Sequence, residues 1–173
     1  MKHYWALALC VTAGIQMPSL ATAEGSSGTQ PLFVNVKRLS LDTALRVAQA
    51  AIEQCRKEGV QVSATVVDRG GQVQVVLRDV LAADLSLRVS QQKAYTAMSF
   101  NMATSALEGQ FKTPYSVPKV EGVLVAPGGV PIIAGGVSYG GVGVSGAPSG
   151  ETDEKCARAG VAAVADDLDM AQQ

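Results

Sequence analysis

Two short valine-rich runs separated by a tight-turn signal constrain the fold more than any other feature of this sequence. Residues 60–68 (VQVSATVVD) and 72–78 (QVQVVLR) are each long enough for one strand, and Arg69-Gly70-Gly71 lies between them. Beta-branched residues favour extended backbone, and glycines accept the positive φ angles of a hairpin turn. The two runs therefore predict an antiparallel hairpin and, with it, an antiparallel sheet.

Helical and strand-like segments follow one another on either side of this hairpin. A first helix is predicted after the N-cap candidate Ser40, because apolar residues recur every three to four positions as far as Gly59. Further helices are predicted over 86–102, 104–107 and 152–170, further strands over 120–126, 130–134 and 137–145, and an extended segment or edge strand over 32–37. This order predicts an α+β fold with an antiparallel sheet of about five strands, the last three in a meander, flanked by helices.

The N-terminal segment has the pattern of a cleavable secretion signal. Lys2 precedes an apolar run over 4–15, and small residues stand at Ala21 and Ala23. The run is about 12 residues long, whereas a membrane-spanning helix needs roughly 20. We therefore expect a secreted or periplasmic protein without a membrane anchor, with a signal peptide over 1–23, a leader over 24–38 and a single domain over 39–173.

Cleavage after Ala23 would remove the only histidine of the chain, His3. The remaining chain could then form neither a Ser-His-Asp triad nor a histidine-ligated zinc or haem site, and a general base would have to be a carboxylate, a lysine or a tyrosine. The full chain has 14 Lys and Arg residues and 15 Asp and Glu residues. Cleavage would also remove Lys2 and would make the remaining chain slightly more acidic. This weak acidity argues against nucleic acid or an anionic membrane as partner, because both require a basic surface.

Cys55 and Cys156 are the two cysteines that would remain, and each falls on the apolar stripe of a predicted helix. In an oxidising compartment two such thiols are candidates for a disulfide. Free cysteines on an apolar stripe also behave as small apolar residues. Both interpretations stay open, because pairing depends on whether the two helices pack together.

Two catalytic patterns in the glycine-rich part of the chain lack the context that they need. Residues 141–146 spell G-x-G-x-x-G, but Pro148 follows and too little chain remains for a further βαβ unit. Residues 136–140 spell G-x-S-x-G, but no histidine follows to serve a nucleophile. Close approach of backbones between strands accounts for both runs of glycine.

Several short motifs occur in the order found in one protein family. They are LSLDTA at 39–44, VVDRGG at 66–71, LRD at 77–79, QKAYTA at 92–97, PGGVP at 127–131 and GVSGA at 143–147. On these motifs the chain resembles the GlcG/HbpS-like family, which is also labelled haem-degrading and is related to the C-terminal domain of PduO-type proteins. The resemblance implies a helix-flanked antiparallel sheet and a symmetric homo-oligomer, and it makes haem or iron an expected ligand.

The resemblance also implies a set of site residues. The family's recurrent polar positions fall on Asp68, Arg78, Asp79, Lys93, Tyr95 and Thr96. Thr104 falls in the region of the iron contact of haem-binding relatives, and Val80-Leu81 depart from the family's usual hairpin exit. Tyrosine and methionine remain as iron ligands, which makes Tyr95, Tyr115, Tyr139, Met98 and Met102 candidates. We therefore expect ligand contacts from Arg78, Asp79, Arg88, Lys93, Tyr95, Thr104 and Tyr115.

Three functions follow from these observations. The first is binding of haem or a related tetrapyrrole or iron species. The second is an accessory role in a catabolic pathway, with a small organic acid bound by Arg78, Arg88 or Lys93. The third is an enzyme, either one that degrades haem or one with Lys93 or Tyr95 as its base, which the missing imidazole and metal-ligand cluster make the least favoured of the three.

Overall fold

The computed structural model of the protein describes residues 31–111 and 120–172. The contacts between residues divide the chain into two units, the first ending at Asn35 and the second beginning at Val36. In the first unit, residues 31–35 are exposed and form neither helix nor strand, and every helix and strand given below lies in the second unit. The predicted signal peptide and Tyr115 lie outside the described residues. No helix in the described part of the chain is long and apolar enough to cross a membrane.

The sheet has four antiparallel strands within the described residues: β1 (Ser63–Asp68), β2 (Val73–Arg78), β3 (Gly129–Ala134) and β4 (Val137–Ser145). Their order across the sheet is β2-β1-β4-β3, which makes β2 and β3 the edge strands. The α+β class and the β1–β2 hairpin are thus confirmed. Of the predicted three-strand meander, the last two strands pair as β3 and β4, the first is missing from the described sheet, and β4 also pairs with β1 at the centre.

The strand predicted over 120–126 is not formed. The amide of Val123 donates to the carbonyl of Val120 in a tight turn, and Gly122 has a φ of +88°. The amide of Leu124 donates to the side chain of Thr96, at 2.8 Å, and not to a neighbouring strand. A local turn and a side-chain acceptor therefore take the backbone groups that a fifth strand would have used.

In the part of the chain that the structure describes, three α-helices cover the two faces of the sheet: α1 (Leu41–Lys57), α2 (Leu85–Phe100) and α3 (Gly150–Met170), with a short 3-10 helix (Thr104–Leu107) after α2. Helices α1 and α3 pack on each other and on one face, while α2 lies on the opposite face. The side chains of Ser40 and Ser149 cap α1 and α3 by accepting amide hydrogen bonds, as N-cap serines commonly do.

Cys55 of α1 and Cys156 of α3 are fully buried and joined by a disulfide, with their Cα atoms 5.4 Å apart. The helices come close because Gly160 carries no side chain: a Cβ there would lie 2.6 Å from the carbonyl oxygen of Val47. Of the two interpretations of these cysteines, the structure therefore supports the disulfide.

The glycine-rich strand β4 brings α2 into direct contact with the sheet. A Cβ at Gly141 would lie 2.6 Å from the carbonyl oxygen of Ala94, and one at Gly143 would collide with the carbonyl oxygen of Ser90. Hydroxyl groups fasten the same helix to β1, since the Oγ1 of Thr65 lies 2.8 Å from the Oγ of Ser90. The run that spells a nucleotide-binding pattern is therefore a surface on which a helix packs.

Candidate functional site

The predicted site residues are distributed over three separate places. Arg88 and Tyr95 line an open cleft beside α2. Arg78 and Asp79 border a hollow between α1 and β2. Lys93 and Thr104 are buried on the side of α2 that faces the β3–β4 hairpin.

The first place, which we call the Tyr95 cleft, has a volume of about 390 Å³ and lies within the usual size of small-molecule sites. Its walls come from the hairpin turn, the outer flank of α2 and the segment that follows residue 120. The lining residues are Gly71, Gln72, Arg88, Gln91, Gln92, Tyr95, Glu121 and Gly122. Side chains of both charges and three amides therefore face one hollow.

Two glycines border the ring of Tyr95 on opposite edges. A Cβ at Gly71 would lie 2.7 Å from its Cε2, and a Cβ at Gly122 would lie 3.8 Å from its Cδ1 and Cε1. The methyl group of Met98 also approaches Gly71, so the ring and the thioether share one side of the hairpin turn. The turn itself is shaped by buried Asp68, whose Oδ1 accepts the amides of Gly70 and Gln72 at 2.8 and 3.0 Å.

The polar side chains of this cleft have no protein partner within residues 31–111 and 120–172, and Arg88 and Tyr95 are the two among them whose chemistry suits an anion and an iron ion. Tyr95 is half-buried with its hydroxyl unbonded there, and Arg88 is exposed without an ion pair there. Guanidinium groups pair with carboxylates in two-pronged geometry, and a tyrosine oxygen is a known ligand of haem iron. The donor set therefore fits an anionic iron tetrapyrrole.

An apolar strip lies beside the cleft on the edge strand β2. Val76 pairs with Thr65, whose hydroxyl contacts α2, so Val76 faces the α2 side of the sheet. Val73 and Val76 are 43% and 44% exposed, because α2 barely covers this strand. Val73 directly follows Gln72 of the cleft, so a flat apolar ligand could extend from the cleft onto the strip.

Lys93 is neutralised inside the protein. Its Nζ donates to the Oδ2 of Asp153 at 2.8 Å and to the carbonyl oxygen of Val144 at 3.1 Å, and both charged side chains are 5% exposed. Burial raises the pKa of Asp153, against the lowering effect of Lys93 and of the Ala147 amide. Asp153 lies 60 residues along the chain from Lys93, and no sequence pattern indicates that the two residues meet.

Thr104 and Glu154 hold the turn at Gly128-Gly129. The Oγ1 of buried Thr104 accepts the amide of Gly129 at 2.8 Å, and the Oε2 of Glu154 accepts the amide of Gly128 at 3.3 Å. Burial alone would raise the pKa of Glu154, but hydrogen bonds from Ser105, Arg158 and Gly128 outweigh it and lower that pKa. Together with Lys93 and Asp153, these residues form what we call the buried polar cluster. None of its members lines the Tyr95 cleft.

The third place is a hollow of about 280 Å³ with an apolar floor of Ile52 and Leu77. Arg56, which sequence analysis missed, donates from its Nε to buried Asp79 at 3.1 Å, and Asp79 raises the pKa of that guanidinium. Arg78 is held by a bond from its Nε to the carbonyl oxygen of Ala82, at 2.9 Å. Arg56 falls in the last turn of α1, where a basic residue is common for reasons of helix polarity alone.

No group of His, Cys, Asp and Glu side chains suited to a metal ion occurs among residues 31–111 and 120–172. A metal bound inside a tetrapyrrole does not need such a group, because the macrocycle supplies four of its ligands and the protein supplies the axial ones.

A family model described as haem degrading protein HbpS-like matches residues 39–162. The chain belongs to the HbpS-like family. Its fold is similar to the crystal structure of HbpS, with 40% identity and a TM-score of 0.73 over 76% of this chain and 93% of that one. It is also similar to a double mutant of HbpS from Streptomyces reticuli, with 38% identity and a TM-score of 0.72 over 84% and 97% of the two chains.

A structure of lower sequence identity was solved with a ligand. The crystal structure of a PduOC–haem complex is 28% identical, with a TM-score of 0.67 over 73% of this chain and 95% of that one. No curated protein matches the chain. The family resemblance and the α+β fold predicted from the sequence are thus confirmed.

Proposed function

We propose that this protein binds haem, or a related anionic iron tetrapyrrole, in the Tyr95 cleft. The observation that carries the proposal is the presence of two groups without a partner among the described residues, the phenol of Tyr95 and the guanidinium of Arg88, in one cleft. The description of the family model as haem-degrading and the haem complex of a similar structure support haem as the ligand.

Each residue of the cleft has a chemical task in this proposal. The oxygen of Tyr95 would bind the iron, and Arg88 would pair with a propionate group. Val73 and Val76 would contact the edge of the macrocycle and remove apolar surface from water. Bound haem would supply a redox-active iron, while the protein's own residues bind and orient it.

We extend the proposal to the place where the protein works. The pattern of residues 1–23 predicts export, and the disulfide between Cys55 and Cys156 suits an oxidising compartment. The homo-oligomer that the family resemblance implies stays a prediction.

The proposal is tested by a hemin titration. The full chain is expressed, and the protein is purified from the compartment to which the cell delivers it. Absorbance should show a sharp, saturable Soret band near one haem per chain. Tyr95→Phe should shift this band and weaken binding about tenfold or more, because the iron loses its oxygen ligand. Tyr139→Phe is the matched control, since Tyr139 is buried in β4. A broad, non-saturating spectrum, or a Tyr95→Phe variant with the wild-type band, would contradict the proposal.

The hollow beside Arg78 favours a second candidate function, binding of a small organic acid. Asp79 holds Arg56 through both its Nε and its Nη2, whereas Arg78 is held through its Nε alone, which leaves the terminal N–H groups of Arg78 beside the apolar floor. Small carboxylates should then raise the melting temperature of the wild type but not of Arg78→Gln. Equal shifts in both proteins would exclude this hollow as the site.

A further inference from the structure

Thr96 is a fully buried residue of α2 whose hydroxyl group joins two parts of the structure. Its Oγ1 donates to the carbonyl oxygen of Gln92, one turn earlier, at 2.7 Å. The same atom accepts the amide of Leu124 at 2.8 Å. A hydroxyl has one proton and can accept as well as donate. The side chain therefore fastens the segment after residue 120 to the helix that carries Tyr95.

This bond fixes one border of the Tyr95 ring. Gly122 lies two residues before Leu124, within the tight turn closed by the amide of Val123 and the carbonyl of Val120. Gly122 borders the Cδ1 and Cε1 edge of the ring. The position of that glycine relative to α2 consequently depends on the hydrogen bond that Thr96 accepts.

The opposite border of the ring is held in an equivalent way by another buried side chain. Asp68 accepts the amides on both sides of Gly71, and Gly71 borders the Cδ2 and Cε2 edge. The ring of Tyr95 is thus bordered on its two edges by glycines whose backbones are held by buried side chains. The positions of these two glycines limit the directions that its hydroxyl oxygen can take relative to Arg88, which comes from the same helix.

We propose that Thr96 is a positioning residue, which acts through Leu124 and Gly122 to set the orientation of the Tyr95 ring. The consequence for ligand binding rests on the proposed function, because it assumes that Tyr95 binds the iron of haem. The orientation of the ring does not depend on that assumption and is measured separately.

The test compares Thr96→Val, which keeps the shape but removes both hydrogen bonds, with Thr96→Ser, which keeps the hydroxyl. The first readout needs no haem: the protein is labelled with fluorotyrosine, and the ¹⁹F signal of Tyr95 is assigned by its loss in Tyr95→Phe. The signal should move and broaden in Thr96→Val and stay at the wild-type position in Thr96→Ser. The signal of Tyr139 serves as internal reference for a general disturbance of the fold.

The second readout is the hemin titration. Thr96→Val should weaken binding by about 3- to 10-fold and change the Soret band, as expected for the loss of a hydrogen bond that orients a ligating group, while Thr96→Ser should behave as the wild type. If Thr96→Val does not fold, Gly122→Ala replaces it, since a Cβ at a φ of +88° displaces the same turn. A wild-type Tyr95 signal in the variant would overturn the positioning role. Failure of the wild type to bind hemin would overturn the proposed function and leave the positioning role standing.

Discussion

Helix α2 carries two polar regions that differ in whether their groups have partners. In the buried polar cluster, Lys93 contacts Asp153 and a main-chain carbonyl, and the neighbouring Glu154 accepts hydrogen bonds from main-chain and side-chain donors. In the Tyr95 cleft, Arg88 and Tyr95 have no partner in the described part of the chain. Residues a few positions apart on one helix therefore differ: Lys93 is bonded within the fold, whereas Arg88 and Tyr95 are available to the proposed ligand.

The energetic reason for this difference is the surrounding medium. A buried charge is costly unless it is paired, so the cluster has to be complete in the folded protein. A charge at the mouth of a cleft is solvated by water, so leaving it without a protein partner costs little free energy of folding. Substitutions in the two regions should accordingly change different measured quantities.

The largest effect is expected for Lys93→Met. It leaves the carboxylate of Asp153 buried without its cation, which should lower the free energy of unfolding by about 3–5 kcal/mol. Urea unfolding measures this change. Arg88→Met is the control on the same helix and should lie within about 0.5 kcal/mol of the wild type. Equal losses in the two variants would remove the distinction between the regions, whereas partial recovery in a Lys93→Met, Asp153→Leu double variant would strengthen it.

An intermediate effect is expected for Glu154→Gln, with a dependence on pH. The variant loses charge-assisted hydrogen bonds to Ser105 and Arg158 and should be destabilised by about 1–3 kcal/mol at neutral pH. The folded-state pKa of Glu154 is lowered, so its stabilising contribution is present above the pKa that a glutamate has in the unfolded chain. That contribution is lost as the pH falls through the lower, folded-state value.

Urea unfolding of wild type and Glu154→Gln between neutral and acidic pH measures this dependence. The stability difference between them should shrink as the solution becomes more acidic than the unfolded pKa. Asp153 has the opposite sign, because its pKa is raised, and its contribution declines as the pH rises through the folded-state value. A stability difference that stays constant over the whole range would contradict the role assigned to the Glu154 charge.

The smallest effect is expected for Arg88→Ala, and it concerns binding only. Loss of one charge-assisted contact at an exposed site should weaken hemin binding by about tenfold. The melting temperature without ligand should stay close to that of the wild type, because Arg88 is exposed and forms no hydrogen bond or ion pair with another described residue. Arg88→Lys keeps the charge but not the planar donor pair, so its affinity for hemin should lie between those of the wild type and Arg88→Ala. An Arg88→Ala variant that loses stability but binds hemin normally would contradict the assignment of Arg88 to the Tyr95 cleft and would indicate a role in the fold.

The sequence predicted the helices, the hairpin and the family, because each depends on residues close together in the chain. Ser40 begins α1, and Gly70-Gly71 turn the hairpin, as local rules require. The strand expected over 120–126 failed because the competing acceptor, the hydroxyl of Thr96, belongs to another element. Apolar periodicity carries no information about such a partner.

Prediction of the site was limited in the same way. Lys93 and Tyr95 are two residues apart on α2, and both were expected to contact the ligand. The structure sends Lys93 to Asp153 and leaves Tyr95 in the cleft. What separates them is the side of the helix that meets the β3–β4 hairpin and α3, and this is decided by tertiary packing. Arg56 was missed for the same reason, since its partner Asp79 lies beyond the hairpin.

The bare backbone of β4 under α2 has a consequence for how the protein can diversify. Gly141 and Gly143 set the height of the helix above the sheet by the absence of any side chain. The height of the helix also sets the position of the side chains on its outer flank, including Arg88 and Tyr95 in the cleft. Substitution of Arg88 or Tyr95 could therefore change the ligand without changing the packing of α2 on the sheet. Substitution of Gly141 or Gly143 would displace the helix itself.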